Sequence, residues 1–291
     1  MSHFTLVVQL KKGCGNLDAA LERALAPFDE SLKVAPYRRA VGAWEIEYAK
    51  KQDGRIKSHE AVAAKLNREF WDGEDEDSRY LCDADGVYQM VTYNPQSRWD
   101  WYNVGGRWSG FWWAWEPFHT GRRGNSIPRD VVRKVDIDWE TMQDDAAKKA
   151  GEQWDRVHAT IDPHPPITPW PDVLAKHEDG KGKENLDAAR DEYNAQPGVA
   201  AIRADSDNPA YWDGAEPFLC SREDFIHRAI LAAGMPFAFL LANGEWVERG
   251  KMGWWGVVHD DSPSEDWHRA AHRIYDTIPG EDILVLVDCH I

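Results

Sequence analysis

Two stretches at opposite ends of the sequence constrain everything between them. Residues 3–10 read HFTLVVQL and residues 283–289 read ILVLVDC. Both are mostly apolar and neither alternates strictly, since Val7 joins Phe4, Leu6, Val8 and Leu10 in the first and Ile283–Val287 runs unbroken in the second, so neither suits a strand with one wet face. A strand that is apolar on both faces needs cover on both. The expectation is that the two lie in one sheet, which would fold both ends of the chain into a single core. At 291 residues the chain is long enough to bury one.

Between these ends, Asn16 is placed to cap a helix, LDAALERAL, that stops at Pro27, and residues 28–37 read as extended connection. Ser58 caps a helix over 58–71, and residues 86–94 form a strand. Asp138 precedes a long amphipathic pattern, with Trp139, Met142, Ala146, Ala150, Trp154 and Val157 at helical spacing. Residues 162–217 are rich in Pro, Asp and Gly, and read as an irregular insertion with a short helix near 184–195. A helix over 221–234 opens on a Ser221–Asp224 pair, an Asn243-Gly244 turn joins two strands, residues 253–258 give a third, and a last helix leads into the final strand. Strands and helices mix without steady βαβ alternation. This predicts an α+β fold, an antiparallel or mixed sheet of ferredoxin-like type with flanking helices. Residues 1–161 are then the N-terminal part of one core, 162–217 an insertion, and 218–291 the C-terminal part of the same core.

The formal net charge of −16 sets a field that opposes the phosphate backbone, which argues against broad nucleic-acid binding and leaves room for a basic host protein as partner. Cys14, Cys82, Cys220 and Cys289 are scattered without a CxxC pair, the pattern of neither a zinc ribbon nor a disulfide framework. Reduced thiols point to the cytoplasm. The opening MSHFTLVVQL lacks a basic region ahead of its apolar run and reads as a strand, and no stretch reaches the ~18 apolar residues of a membrane span, so no membrane association is expected.

Tryptophan is the outlier, at 16 residues. Trp99, Trp101, Trp108, Trp112, Trp113 and Trp115 crowd into NPQSRWDWYNVGGRWSGFWWAW. Such rings fill a core or wall a pocket for something flat. Strand alternation would put Trp99, Trp101 and Asn103 on one face and Asp100, Tyr102 and Val104 on the other. Gly105-Gly106 permits positive φ or a close backbone approach. Arg107 can fork onto an anion and stack on a flat group, or pair with Asp100 as a structural bridge. Trp101, Tyr102, Arg107 and Trp108 are the candidate ligand contacts here. EWVERGKMGWWG adds a second glycine–aromatic turn, whose Lys251 and Trp254 would sit at the rim of the same cavity, unless its rings only fill a core.

LVDCHI is the sharpest signal. The pleat sets Asp288 and His290 on one face and Cys289 on the other. Asp288 could orient the His290 imidazole for general base work, or only tie down the chain end. These two are the candidate catalytic residues, with His290 expected to share a cavity with Trp101, Arg107 and Trp254. Asp288 and His290 supply too few ligands for zinc, and His268 and His272, at i,i+4 in HRAAH, lack the glutamate of HExxH. Neither a metal nor a cofactor is expected.

The segments MSHFTLVV, LAPFDESLKVAPY, NPQSRWDWYNVGGRW, VDIDWETM, NGEWVERGKMGWWG and LVDCHI, in this order, resemble a family of uncharacterised proteins encoded by tailed phages and actinobacterial genomes. The resemblance implies a phage-type accessory protein, in the host cytoplasm if phage-encoded, and implies no reaction. Joined to the residues above, the expected function is binding, with or without processing, of a small flat anionic or aromatic ligand such as a nucleotide. The alternative is a non-catalytic acidic protein that occupies a basic host protein or mimics nucleic-acid charge.

Overall fold

The structure, a computed structural model, describes residues 2–52, 56–71, 73–115, 126–252 and 257–291. In chain order its strands and helices are β1 (His3–Leu10), α1 (Leu17–Leu25), β2 (Lys33–Ala40), α2 (Ala43–Gln52), α3 (His59–Phe70), β3 (Tyr80–Asp83), β4 (Gly86–Tyr93), β5 (Trp101–Val104), β6 (Trp112–Trp115), β7 (Ser126–Arg129) and β8 (Val131–Arg133). There follow α4 (Trp139–Ile161), α5 (Trp170–Lys176), α6 (Lys183–Asn194), α7 (Pro197–Arg203), α8 (Arg222–Ala232), β9 (Ala238–Leu240), β10 (Trp246–Glu248), β11 (Lys251–Met252), β12 (Val258–His259), α9 (Ser264–Thr277) and β13 (Ile283–His290). The side chains of Asn16, Ser58, Asp138 and Ser221 cap α1, α3, α4 and α8, as their positions in the sequence predict. Among the described residues no helix is long and apolar enough to cross a membrane.

The two end strands meet at the centre of the main sheet. Its order is β10-β9-β1-β13-β5, with β8 also paired to β13. β1 and β13 run antiparallel, from His3 opposite His290 to Leu10 opposite Ile283. The apolar residues on both of their faces are explained by cover on both sides. Phe4, Leu6, Val8, Val285 and Val287 pack with Leu21 and Leu25 of α1 on one face. Val7, Leu284, Leu286 and Phe239 pack with Met142 of α4 and with Trp267, Ala271 and Tyr275 of α9 on the other.

The fold is mixed α+β, and the sheet is mixed: β1 is parallel to β9 and antiparallel to β13. A ferredoxin-like order is not confirmed. The strand of the β9–β10 hairpin that lies beside β1 is its first, β9, and β10 takes the edge. A second, three-stranded sheet, β2-β4-β3, packs with α2 and α3 around its own cluster of Val41, Ala49, Val62, Leu66 and Val87. Half of the stretch expected to be plain connection, residues 33–37, therefore belongs to strand β2.

Residues 162–217 correct the sequence reading most. Besides α6, the short helix expected near 184–195, they carry α5 and α7 and complete two small cores, one joining Ile202 and Ala215 to Val157 and Ile161 of α4, the other built on Val173, Ala189, Tyr193 and Val199. Two of the prolines that suggested irregularity, Pro171 and Pro197, stand in the first turns of α5 and α7, where a missing N–H costs nothing.

Candidate functional site

The outer edge of β13 is shared by two strands. β5 pairs with its far half, from Val104 opposite Val287 to Trp101 opposite His290, and β8 pairs with its near half. The chain leaves this edge at Gly105, whose N–H donates to Leu286 O, and returns at Asp130, whose carbonyl accepts from Leu286 N–H. The Gly-Gly pair is what this departure requires. Gly105 and Gly106 have φ of +70° and +52°, and a Cβ on them would fall against the side chains of Asp130 and Asp288 respectively. Asp130 accepts from Gly110 N–H and Ser109 Oγ–H, while the Asp288 carboxylate accepts the Arg107 backbone N–H at 3.0 Å. Two carboxylates thus pin the loop to the sheet.

At this end of the sheet four polar side chains form two pairs. His3 Nδ1 lies 2.8 Å from Asp288 Oδ1, and His290 Nδ1 lies 2.6 Å from Asp100 Oδ1. Each carboxylate takes the Nδ1–H of its imidazole, which leaves Nε2 as the nitrogen available for other work. The pairs stand side by side because the β1–β13 register sets His3 opposite His290. Their ring centroids are 4.9 Å apart, edge to face. Trp101 closes the group, stacked on His290 at 5.2 Å and 17° and meeting His3 edge-on at 5.2 Å. The floor is dry and the cover is wet: the side chains of His3, Asp288 and His290 are 6%, 3% and 9% exposed, against 44% for Trp101. His290 Nε2 is buried and has no hydrogen-bond partner among the described residues, a state that costs roughly 1–3 kcal/mol unless a ligand or a movement relieves it.

The structure therefore brings together Trp101, Asp288 and His290, with Arg107 held to them through its backbone. Asp288 and His290 share a face and Cys289 lies on the other, as the pleat predicts. The expected dyad is different, however. Asp288 orients His3, and His290 is oriented by Asp100. The Arg107 side chain is exposed and no carboxylate pairs with it among the described residues, so the bridge to Asp100 is not formed.

Tyr102 sits apart, on the opposite face against Trp99, and Trp108 packs at the margin of the Trp112 core. Trp99 itself departs from the expected alternation. It is buried with Phe4 and Leu6, because the chain turns at Asp100 before β5 begins. Lys251 lies on the β11–β12 ribbon, paired with Asp260 at 3.5 Å. Trp254, and most of the strand expected over 253–258, fall outside the described residues.

Most of the remaining rings in the tryptophan-rich stretch are core. Trp112 is fully buried and its indole N–H donates to Tyr275. Burial pushes the Cys289 thiol well up, with Asp288 adding to the effect, so it stays protonated and is no nucleophile. His272 Nε2 is taken by Leu231 O at 3.1 Å. Among the described residues no group of three or more His, Cys, Asp or Glu is placed to hold a metal ion.

Sequence reasoning missed His3 and Asp100. The signal for His3 was present: once the end strands are paired antiparallel, position 3 falls against position 290. Asp100 carried no such signal, because its role depends on the turn that breaks the alternation. No family model matches this chain, and comparisons with curated proteins and with solved structures find no match either.

Proposed function

We propose that this chain is an accessory protein of the tailed-phage type that binds a small, flat, anionic ligand, such as a nucleotide, at the end of the sheet where its two terminal strands meet. Trp101 is the stacking surface, the Arg107 guanidinium meets the anion, and beneath the ring lies His290, whose Nε2 has no hydrogen-bond partner among the described residues. The observation that carries this reading is the exposed Trp101 ring lying on a buried imidazole whose Nε2 has no partner. A purely structural Asp–His tie would give that nitrogen a protein acceptor or donor, or leave it to water. The Arg107 guanidinium, without a carboxylate partner among the described residues of a chain of net charge −16, is a second support.

The test is native mass spectrometry of the protein as purified from cells, followed by titration with nucleoside monophosphates read by tryptophan fluorescence. Arg107→Ala should weaken binding by about 1.5–3 kcal/mol, roughly ten- to hundred-fold, the worth of a charged hydrogen bond. The melting temperature should hold, because the side chain has no carboxylate partner among the described residues to lose. No retained molecule and no saturable binding would refute the reading.

A further inference from the structure

The other end of the main sheet holds a cavity, built where two parallel strands finish side by side. β1 and β9 pair in parallel, from Leu6 opposite Ala238 to Val8 opposite Leu240. The chain leaves their carboxyl ends in different directions. β1 runs into the loop before α1, and β9 turns back through Asn243-Gly244 to β10. Connections that part in this way open a crevice beyond the strand ends. Here the crevice has a volume of about 320 Å³, within the range of small-molecule sites. The eight residues of β1, His3 to Leu10, separate it from the Trp101–His290 group, roughly 23 Å along the strand.

The floor of this cavity is apolar. Leu10, Phe28 and Leu240 are buried there, and Ala24 of α1 forms one wall. The one ring among them, Phe28, already packs against Trp246 with centroids 4.9 Å apart. The rest is aliphatic, a surface for a chain rather than for a flat group. The rim is cationic. Lys11, just past β1, and Arg23, in the last turn of α1, both line the cavity and are exposed. Neither pairs with a carboxylate among the described residues, and no Asp or Glu lines the cavity. Asp282, which is bonded to Gln9 of the cavity wall, commits both oxygens, one to Gln9 Nε2–H and one to Lys12 N–H. In a chain of 50 acidic and 34 basic residues, two cations with no acid run against the overall balance. Arg23 also suits the carboxyl end of α1, but that accounts for neither Lys11 nor the apolar floor that the two overlook.

We propose that this cavity is a second binding site, independent of the first, for a small aliphatic carboxylate. The head group sits between Lys11 and Arg23, and the chain lies on Leu10, Phe28 and Leu240. The guanidinium fork matches the two oxygens of a carboxylate, and the ammonium adds a point charge. Each methylene removed from water adds to the affinity. A neutral chain would make no use of the cations, and a more highly charged anion would be opposed by the field of the whole protein.

The test is calorimetric titration of the whole chain with octanoate, and with octan-1-ol as its uncharged counterpart. Octanoate should bind saturably at one site, and octan-1-ol about ten-fold more weakly, on the scale of one charged hydrogen bond. The double variant Lys11→Gln, Arg23→Gln should lose about that factor for octanoate and none for octan-1-ol. Both side chains are exposed, so the fold does not depend on them. Ala24→Leu, which fills the cavity from its α1 wall, should weaken both probes; if it does not fold, the rim variant carries the test. No saturable binding of octanoate, equal affinity for the two probes, or octanoate affinity unchanged in the double variant would overturn the proposal.

Discussion

Replacing Gly106 with Ala tests whether the loop that presents Arg107 is built on a carboxylate. Gly106 has φ of +52°, and a Cβ there would collide with the Asp288 side chain. The added methyl costs about 1–2 kcal/mol for a left-handed conformation. The collision cannot be relieved by a flexible tip, because Asp288 is buried on the central strand and its other oxygen holds His3. The loop must therefore move and give up the Arg107 N–H to Asp288 bond, a charged hydrogen bond worth about 1.5–3 kcal/mol. The total is about 2.5–5 kcal/mol.

For 291 residues unfolding as one unit, an unfolding entropy of about 0.6 kcal/mol/K turns that sum into a drop of roughly 4–8 °C. Gly13→Ala is the control. It has φ of +78° with nothing within 4 Å of a Cβ, so it carries the backbone term alone, a drop of roughly 2–3 °C. Scanning calorimetry of the two variants reads the difference. A Gly106→Ala drop no larger than that of Gly13→Ala would refute the reasoning, since it would mean that the loop is not held by Asp288.

Two further predictions follow from parts of the fold remote from the site. Excising residues 162–217 should uncover Val157 and Ile161 of α4, which are buried against that segment, and so cost about 3–6 kcal/mol; an unchanged melting midpoint would show the segment to be dispensable. The His268 pKa is lowered by burial first, and then by Arg249 and His272. A base with a depressed folded pKa contributes stability that is present above its unfolded value of about 6.5 and is lost as pH falls through the folded one. Urea unfolding from pH 7.5 to 5.5 should therefore show a decline that His268→Gln makes shallower, and equal slopes in the two proteins would sink the claim.

The central sheet was legible because its evidence is one-dimensional. A strand that is apolar on both faces demands two covered faces wherever it occurs, and β1, through Val7, and β13, through Ile283–Val287, lie together at the centre of the sheet where both faces are covered. The helix starts were legible for a similar reason, since a capping side chain sits within three residues of the amide that it serves. Residues 162–217 were not. Their prolines are silent about position, and a proline that opens a helix reads the same as one that forbids it until Val199 and Tyr193 are seen packed together. Strand order was not legible either, because a hairpin such as β9–β10 can present either of its strands to β1 with equal local propriety.

The site repeats this division. Asp288 and His290 were chosen because the pleat puts both on one face, and that is where they lie. Their partners come from elsewhere because residues i and i+2 on a strand point the same way, side by side, and do not point at each other. A hydrogen bond from either must reach across to a neighbouring strand, to His3 on β1, or past the end of β5 to Asp100. The partner of a strand residue is thus a question of register, which sequence answers only when both strands are known. Register was implied for β1 and β13, so His3 could have been found. For β5 it hinged on a bend at the single residue Asp100, between Trp99 and Trp101. That same bend turns Asp100 back toward His290 and sends the two flanking tryptophans to opposite faces of the sheet, one into the core and one to the rim of the site.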